Sequence, residues 1–304
     1  MNGDAALARW RAALEGVLLG KPEVVELALA ALIAGGHLLL HDVPGVGKTT
    51  FAHALARSMG ASFARIQFTS DLLPADLVGG ALPDGQGGLR FAPGPLFAHV
   101  VLADEVNRTS PRTQSALLEA MAERQVTVDG VTRPLPSPFF VIATENPWDA
   151  HGAWPLPDSQ LDRFLFRLAI GYPDRATERR VLRLASPAPL EPVVDLAQVR
   201  ALTEEVRAVT MAEEIEEWLL DLVRGTREDR RLVRGASPRG GAMLHLGARA
   251  LARVRGRSWT MPDDVRDVAV PVLGHRVVAR GAEDDDDAGA AVILDRIERM
   301  PRLG

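Results

Sequence analysis

The chain has 304 residues, no cysteine, 47% hydrophobic and 25% charged residues, and a formal net charge of −5. This length and composition are typical of a soluble globular protein with one large domain or two of ordinary size. The lack of cysteine excludes disulfides, thiol catalysis and cysteine-based metal sites. The negative charge gives no whole-chain electrostatic reason to bind nucleic acid.

The N-terminal segment predicts neither a signal peptide nor a membrane anchor. Residues 1–4 lack a basic start followed by an apolar core. The longest apolar run, 27–40, is too short to span a bilayer and contains Gly35 and Gly36. We therefore expect no membrane insertion and a cytoplasmic location, which a cysteine-free chain also fits.

The first part of the chain alternates helical periodicity with short apolar runs of the buried-strand type. In chain order the predicted elements are helices at 4–19 and 22–34, a strand at 37–40, a helix at 49–59, a strand at 62–67, a Gly- and Pro-rich excursion at 79–95, a strand at 100–103, a helix at 111–123 capped by Ser110, a hairpin at 126–132, and strands at 139–144 and 166–170. Strands that alternate with helices predict a parallel sheet covered on both faces.

Strand signals stop after about Tyr172. The remaining residues predict four helices: one from a Thr210/Glu213 capping box to near Gly225, one from Ser237-Pro238 to near Gly256, one capped by Thr260, and one over 291–300. The acidic run 283–287 is interpreted as a solvated linker between the last two. We expect an α/β domain at residues 1–171 and a smaller helical domain at 172–304.

The loop between the strand at 37–40 and the next helix has the composition of a phosphate-binding loop. Its residues are Pro44, Gly45, Val46, Gly47, Lys48 and Thr49, and Thr50 is included with them as nucleotide-binding. Glycines let backbone N–H groups approach an anion at the positive end of a helix. Lys48 would reach the β- and γ-phosphates, and the Thr49 hydroxyl would hold Mg²⁺. Asp42 stands where the general pattern has glycine.

Polar side chains follow two further strands. Asp104 and Glu105 end the strand at 100–103, where Asp104 can orient Mg²⁺ and Glu105 can polarise the attacking water. Asn146 follows the strand at 139–144, and its amide could bind the γ-phosphate or the water. Arg163 would act as a finger in a neighbouring subunit's site, or would pair with Asp162 at the surface. Arg239 begins a helix, a position that is explained if it contacts a phosphate.

This order of motifs resembles AAA+ ATPases, and several stretches are similar to the MoxR family in particular. They are residues 38–49, 102–108, 113–128, 155–164, 235–239 and 275–276. The resemblance extends from about Val17 to the end of the chain. Asp42 is ordinary at its position in that family, whereas Glu145 stands where the family usually has glutamine and Trp154 where it often has tyrosine.

The resemblance implies a P-loop NTPase sheet sandwiched by helices and followed by a small all-helical lid, which together bind and hydrolyse ATP with Mg²⁺. It matches Lys48 and Thr49 to Walker A, Asp104 and Glu105 to Walker B, Asn146 to sensor 1, Arg163 to the arginine finger, Arg239 to sensor 2, Leu19-Gly20 to the segment near adenine, 72–92 to an inserted segment, and 124–134 to a hairpin before sensor 1. Members form ring-shaped hexamers, work with von Willebrand factor A domain proteins, and assist maturation, metal insertion or assembly of client complexes.

Two other functions remain open from the sequence. One is a nucleotide-gated scaffold with little turnover, which the intact Asp104-Glu105 pair disfavours. The other is a nucleic-acid-stimulated motor, which the net charge and the 5% aromatic content disfavour. The segments 79–91 and 124–134 are our candidates for the contact with the client.

Overall fold

A five-stranded parallel sheet forms the centre of the computed structural model, which describes residues 3–83, 88–145, 154, 156–183, 190–282 and 286–301. The strands, numbered in chain order, are β1 Leu38–His41, β2 Phe63–Gln67, β3 Gly79–Pro83, β4 Leu89–Pro93, β5 Val100–Asp104, β6 Gln125–Val128, β7 Val131–Pro134, β8 Phe140–Glu145, β9 Phe166–Leu168, β10 Leu232–Arg234 and β11 Val278–Ala279. The main sheet has the order β2-β5-β8-β1-β9. Each strand predicted from the sequence is present.

Helices cover both faces of this sheet and make up most of the second part of the chain. They are α1 Gly3–Glu15, α2 Pro22–Ile33, α3 Lys48–Ser58, α4 Pro74–Val78, α5 Pro111–Glu123, α6 Asp158–Leu161, α7 Arg175–Arg183, α8 Leu196–Ala208, α9 Glu213–Glu228, α10 Pro238–Val254, α11 Pro262–Leu273 and α12 Asp286–Arg299. Within the described residues, no helix combines the length and apolar composition needed to cross a bilayer.

The two faces of the sheet belong to separate hydrophobic clusters, because successive side chains of a strand point to opposite sides. On β1, Leu38 and Leu40 pack with α1, α2, α3 and the helices of the second part. Leu39, between them, packs on the other face with Leu117 and Met121 of α5. The first cluster is continuous from the sheet to α10 and α11, so the N-terminal helices and the C-terminal helices share one core.

Two predicted helix caps are wrong. Thr210 does not cap α9: it forms an isolated bridge with Trp259, and Ala212 stands at the N-cap. Thr260 does not cap α11: the N-cap is Met261, whose N–H donates to the Asp264 carboxylate over 2.8 Å. In both cases the threonine pairs with a distant segment, because tertiary contacts override the local capping preference.

Other elements of the second part were not predicted. The sequence indicated no strand after Tyr172, but β10 and β11 form a short antiparallel pair. Helices α7 and α8 are also additional, and α8 carries the capping signal of Asp195 and Gln198. Residues 283–285 of the acidic run lie outside the described residues, and the run's last two residues begin α12 instead of continuing a linker.

His37, which precedes β1, connects α5 to the sheet. Its Nε2 lies 3.2 Å from the Met121 carbonyl oxygen, and its Nδ1 accepts the Val141 N–H over 3.0 Å. One tautomer of the neutral ring makes both bonds. Burial lowers the pKa of His37 from 6.5 to about 4, a shift that the nearby Arg124 reinforces.

We expect this histidine to make stability pH-dependent. The unfolded chain takes up the proton first as the pH falls, so the stabilisation is present above pH 6.5 and is lost as the pH falls through about 4. The free energy of unfolding should fall by about 2 kcal/mol between pH 7 and pH 5. Urea unfolding of wild type and His37→Gln at both pH values measures it. An equal loss in the variant would contradict the assignment.

Candidate functional site

The glycine-rich loop between β1 and α3 exposes the amino end of α3. Gly45 and Gly47 adopt φ values of +87° and +98°, which glycine reaches without strain. Gly47 is the N-cap of α3, and no described side chain caps this end. The first backbone N–H groups of α3 therefore remain available to an anion.

Asp42, the departure from the general phosphate-loop pattern, points away from the loop's anion-binding side. One carboxylate oxygen accepts the N–H groups of Ile170 and Gly171, and the other accepts that of Val43. The Asp42 backbone carbonyl accepts Lys48 Nζ over 2.8 Å. The carboxylate therefore links the loop to the segment after β9.

The two acidic residues at the end of β5 are held in different ways. Asp104 is 9% exposed, and its Oδ1 accepts the Thr144 hydroxyl over 2.6 Å. Glu105 has a φ of +58°, a left-handed conformation rare for a side chain of this size. Its N–H donates to the same Thr144 hydroxyl over 2.9 Å. Thr144 on β8 therefore orients both acidic residues.

A cavity of about 370 Å³ brings the phosphate loop and the acidic pair together at the carboxyl end of the sheet. It is lined by Pro44, Gly45, Gly47, Lys48, Thr49, Thr50, Arg65, Gln67, Asp104 and Glu105. Partial burial lowers the pKa of Lys48, and the nearby carboxylates of Asp42, Asp104 and Glu105 oppose this shift.

The predicted nucleotide-binding residues Val46, Leu19 and Gly20 do not line this cavity. Val46 packs on the core, and Gly20 lies against Thr177 of α7.

The chemistry of these side chains fits a nucleoside triphosphate with Mg²⁺. Lys48 and the free N–H groups of α3 supply positive charge, and Thr49 and Asp104 supply oxygen ligands of the kind that Mg²⁺ prefers. Within the described residues no group of three or more His, Asp or Glu side chains could hold a metal alone.

Strand β2 contributes two side chains to the site that the sequence analysis missed. Arg65 Nη2 donates to Asp104 Oδ2 over 2.7 Å, and Gln67 Nε2 donates to Glu105 Oε2 over 2.8 Å. Arg108 Nη1 also donates to Glu105 Oε2, over 3.1 Å. Residues 65 and 67 share one side of an edge strand, so alternation would have indicated them once β2 was known to lie beside β5.

Arg163 and Arg239, the two predicted arginines, lie outside the cavity lining. Arg163 does not pair with Asp162: its Nη1 donates to the Leu118 carbonyl oxygen over 2.6 Å. Arg239 Nε lies 3.5 Å from Asp162 Oδ2, and its side chain is 52% exposed. Asp162 is thus bound from the start of α10, and Arg163 is left without a carboxylate partner in the described contacts.

Arg276 makes the firmest contact with this segment, although the sequence analysis assigned it no role. Its side chain is 3% exposed, and its Nε donates to Asp162 Oδ1 over 2.7 Å. Its Nη2 donates to the carbonyl oxygens of Asp162 and Phe164. Arg276 therefore attaches the end of α11 to the loop that holds Arg163.

Asn146, the predicted sensor, lies outside the described residues. Glu145 before it lies 3.6 Å from His41 Nδ1.

Comparisons with known proteins agree with this arrangement. The family described as "ATPase family associated with various cellular activities (AAA)" matches residues 37–166, and the "AAA lid domain" matches 224–296. Uncharacterized protein YeaC of Bacillus subtilis is 47% identical over 267 residues, 86% of this chain and 83% of that protein. Chaperone MoxR1 of Mycobacterium tuberculosis is 37% identical over 293 residues, 92% of this chain and 78% of that protein.

A crystal structure of an ATPase candidate from Cytophaga hutchinsonii has a TM-score of 0.89 and 33% identity, and covers 99% of this chain and 96% of that one. The parallel sheet, the phosphate loop facing an acidic pair, and the helical lid define an AAA+ ATPase. Within that class, the chain belongs to the MoxR family.

Proposed function

We propose that the protein binds ATP with Mg²⁺ in this cavity and hydrolyses it. The proposal rests on one observation: Lys48 of the phosphate loop and the Asp104-Glu105 pair line the same cavity. A phosphate loop alone supports binding only, whereas a carboxylate beside the terminal phosphate supports hydrolysis.

The chain's own residues divide this work as follows. Backbone N–H groups of residues 45–50 and the Lys48 ammonium bind the phosphates. Thr49 and Asp104 hold Mg²⁺, which when bound neutralises charge on the phosphates. Glu105 accepts a hydrogen bond from the attacking water and polarises it. Gln67 and Arg108 both donate to Oε2 of Glu105 and so orient its carboxylate.

Several predicted residues enter the proposal from the family resemblance. Leu19 and Gly20 contact the adenine, Asn146 and Arg239 contact the γ-phosphate or the water, and Arg163 acts in the site of a neighbouring subunit. The division at 171/172 separates the nucleotide-binding domain from the lid. The Asp162 contacts with Arg239 and Arg276 support a connection between the lid and the Arg163 segment.

We further propose that hydrolysis drives chaperone-like remodelling of partner proteins in the cytoplasm. The relative named Chaperone MoxR1 supports this role. The active form is a homo-hexamer that works with a von Willebrand factor A domain protein and client complexes, whose maturation or metal-cofactor assembly it assists. The hairpins β3–β4 and β6–β7 expose Leu82, Leu89 and Val131, which suits a client contact.

ATP binding and turnover of the purified protein test the proposal, with Lys48→Ala as the comparison. Removal of the ammonium should weaken binding of a fluorescent ATP analogue by about a hundredfold, because charge-assisted contacts to phosphate are lost from a partly buried site. Arg57→Ala, on an exposed position of α3, is the matched control and should bind normally. Equal ATP affinity for wild type and Lys48→Ala would contradict the proposed site.

Two other results would change the assignment. ATP bound tightly but never hydrolysed, with or without a partner, would favour the nucleotide-gated scaffold. Salt-sensitive DNA binding that stimulates hydrolysis would favour the nucleic-acid motor. Phosphate release measured with and without DNA separates both from a protein remodeller.

A further inference from the structure

Both oxygens of the Asp104 carboxylate accept hydrogen bonds from protein groups. Its Oδ1 accepts the Thr144 hydroxyl over 2.6 Å. Its Oδ2 accepts two donors of one guanidinium, Arg65 Nη2 over 2.7 Å and Arg65 Nε over 3.2 Å. Both oxygens of the predicted metal ligand therefore have partners, and one of these partners is a cation.

Arg65 and Mg²⁺ would compete for the same oxygen. A guanidinium stays protonated at all ordinary pH values, so the competition does not depend on pH. Mg²⁺ gives up its bound waters reluctantly and needs a carboxylate whose charge is not already neutralised. While Arg65 occupies Oδ2, Asp104 is a poor ligand for a free metal ion.

The two partners of Asp104 differ in how easily they can leave. Thr144 Oγ1 is buried in the sheet and also accepts the Glu105 N–H. The Arg65 side chain is 49% exposed on an edge strand and lines the same cavity as Lys48. A triphosphate bound in that cavity offers Arg65 anionic oxygens in exchange for Asp104. Of these two partners, only Arg65 has a side chain exposed enough to move and another anion to bind.

We propose that Arg65 is a gate on the metal site: it neutralises Asp104 in the nucleotide-free protein and releases it only when a triphosphate arrives. The free ATPase is thereby prevented from binding Mg²⁺ without nucleotide. This inference rests on the proposed ATP site and adds a positioning residue to it. Arg65 contributes through Asp104 and makes metal and nucleotide binding mutually dependent.

Binding of Mn²⁺ alone to the nucleotide-free protein tests the gate, with free Mn²⁺ measured by its EPR signal. Arg65→Ala should bind Mn²⁺ at least about tenfold more tightly than wild type, the effect of removing one unit charge within about 5 Å of a partly hydrated site. Arg65→Lys, which keeps the charge, should stay close to wild type. Arg57→Ala, with the same change in net charge elsewhere, should not differ from wild type.

A double variant locates the effect. The tighter Mn²⁺ binding of Arg65→Ala should disappear when Asp104→Asn is added, because the amide lacks the charge that the metal needs. Arg65→Gln replaces Arg65→Ala if the latter does not fold, as judged by circular dichroism. Mn²⁺ affinity within twofold of wild type in the folded variant, or a gain that survives Asp104→Asn, would overturn the inference.

The same samples distinguish this inference from the proposed function. Wild-type protein is also titrated with the ATP analogue in the presence of Mg²⁺. A wild type that takes up no nucleotide refutes the proposed ATP site, and the gate with it. A wild type that binds nucleotide, alongside an Arg65→Ala variant with unchanged Mn²⁺ affinity, refutes the gate alone.

Discussion

Replacement of Glu105 by glutamine is expected to lower ATP turnover by about a thousandfold, within the range that general-base catalysis contributes. Glutamine has the same size, and its amide oxygen can still accept the hydrogen bonds from Gln67 and Arg108. What it loses is the negative charge that polarises the attacking water. Nucleotide affinity should change only a few-fold, because Lys48 and the phosphate loop are untouched.

Steady-state phosphate release and equilibrium binding of an ATP analogue separate these two effects. Glu145→Gln is the matched control. Glu145 is the last residue of β8, and its carboxylate contacts His41. Its side chain points to the face opposite that of its neighbour Thr144, because successive side chains of a strand alternate. The control should keep turnover within a few-fold of wild type. Wild-type turnover in Glu105→Gln would mean that another group activates the water and that the assigned mechanism is wrong.

Arg163→Ala should lower turnover of the assembled protein by about a thousandfold, the contribution typical of an arginine finger. In one chain, the described contact of Arg163 Nη1 is with the Leu118 carbonyl oxygen, outside the cavity lining. Loss of that single hydrogen bond costs about 1 kcal/mol, so the variant should fold. Its catalytic defect would therefore arise at the site of a neighbouring subunit.

Mixing two inactive variants tests this arrangement directly. A subunit with Arg163→Ala keeps its own Glu105, and a Glu105→Gln neighbour supplies the missing arginine. If the two variants are mixed in equal amounts and pair at random in a ring, roughly one site in four has both an intact Glu105 and an intact Arg163 from its neighbour and should regain activity. Arg112→Ala, on the exposed first turn of α5, should behave as wild type. Mixed assemblies that remain inactive would show that Arg163 does not act across the interface.

The part of the site that the sequence predicted is the part that depends on local geometry. The phosphate loop needs only a strand, glycines that tolerate positive φ, and a helix start, and all of these lie within residues 38–49. The acidic pair needs only a buried strand that ends in Asp104 and Glu105. Such patterns involve neighbours in the chain, so they can be recognised before the fold is known.

The missed residues depend on which strand or helix lies beside which. Arg65 reaches Asp104 because β2 pairs with β5, with Gln67 opposite Asp104, and no local pattern specifies that pairing. Arg276 reaches Asp162 across 114 residues of sequence. The false caps at Thr210 and Thr260 have the same origin: the two threonines meet each other's segments, and that contact outweighs the capping preference.

Asp42 has a consequence for how the molecule can bend. Its carboxylate holds the amides of Ile170 and Gly171, and its carbonyl holds Lys48, so both chain segments are fixed to one residue. Gly171 itself has a φ of +65° and begins the connection to α7. If the helices after Gly171 rotate relative to the sheet, we expect the pivot to lie after Gly171, because its N–H is held by Asp42 Oδ2 over 2.8 Å next to the phosphate loop.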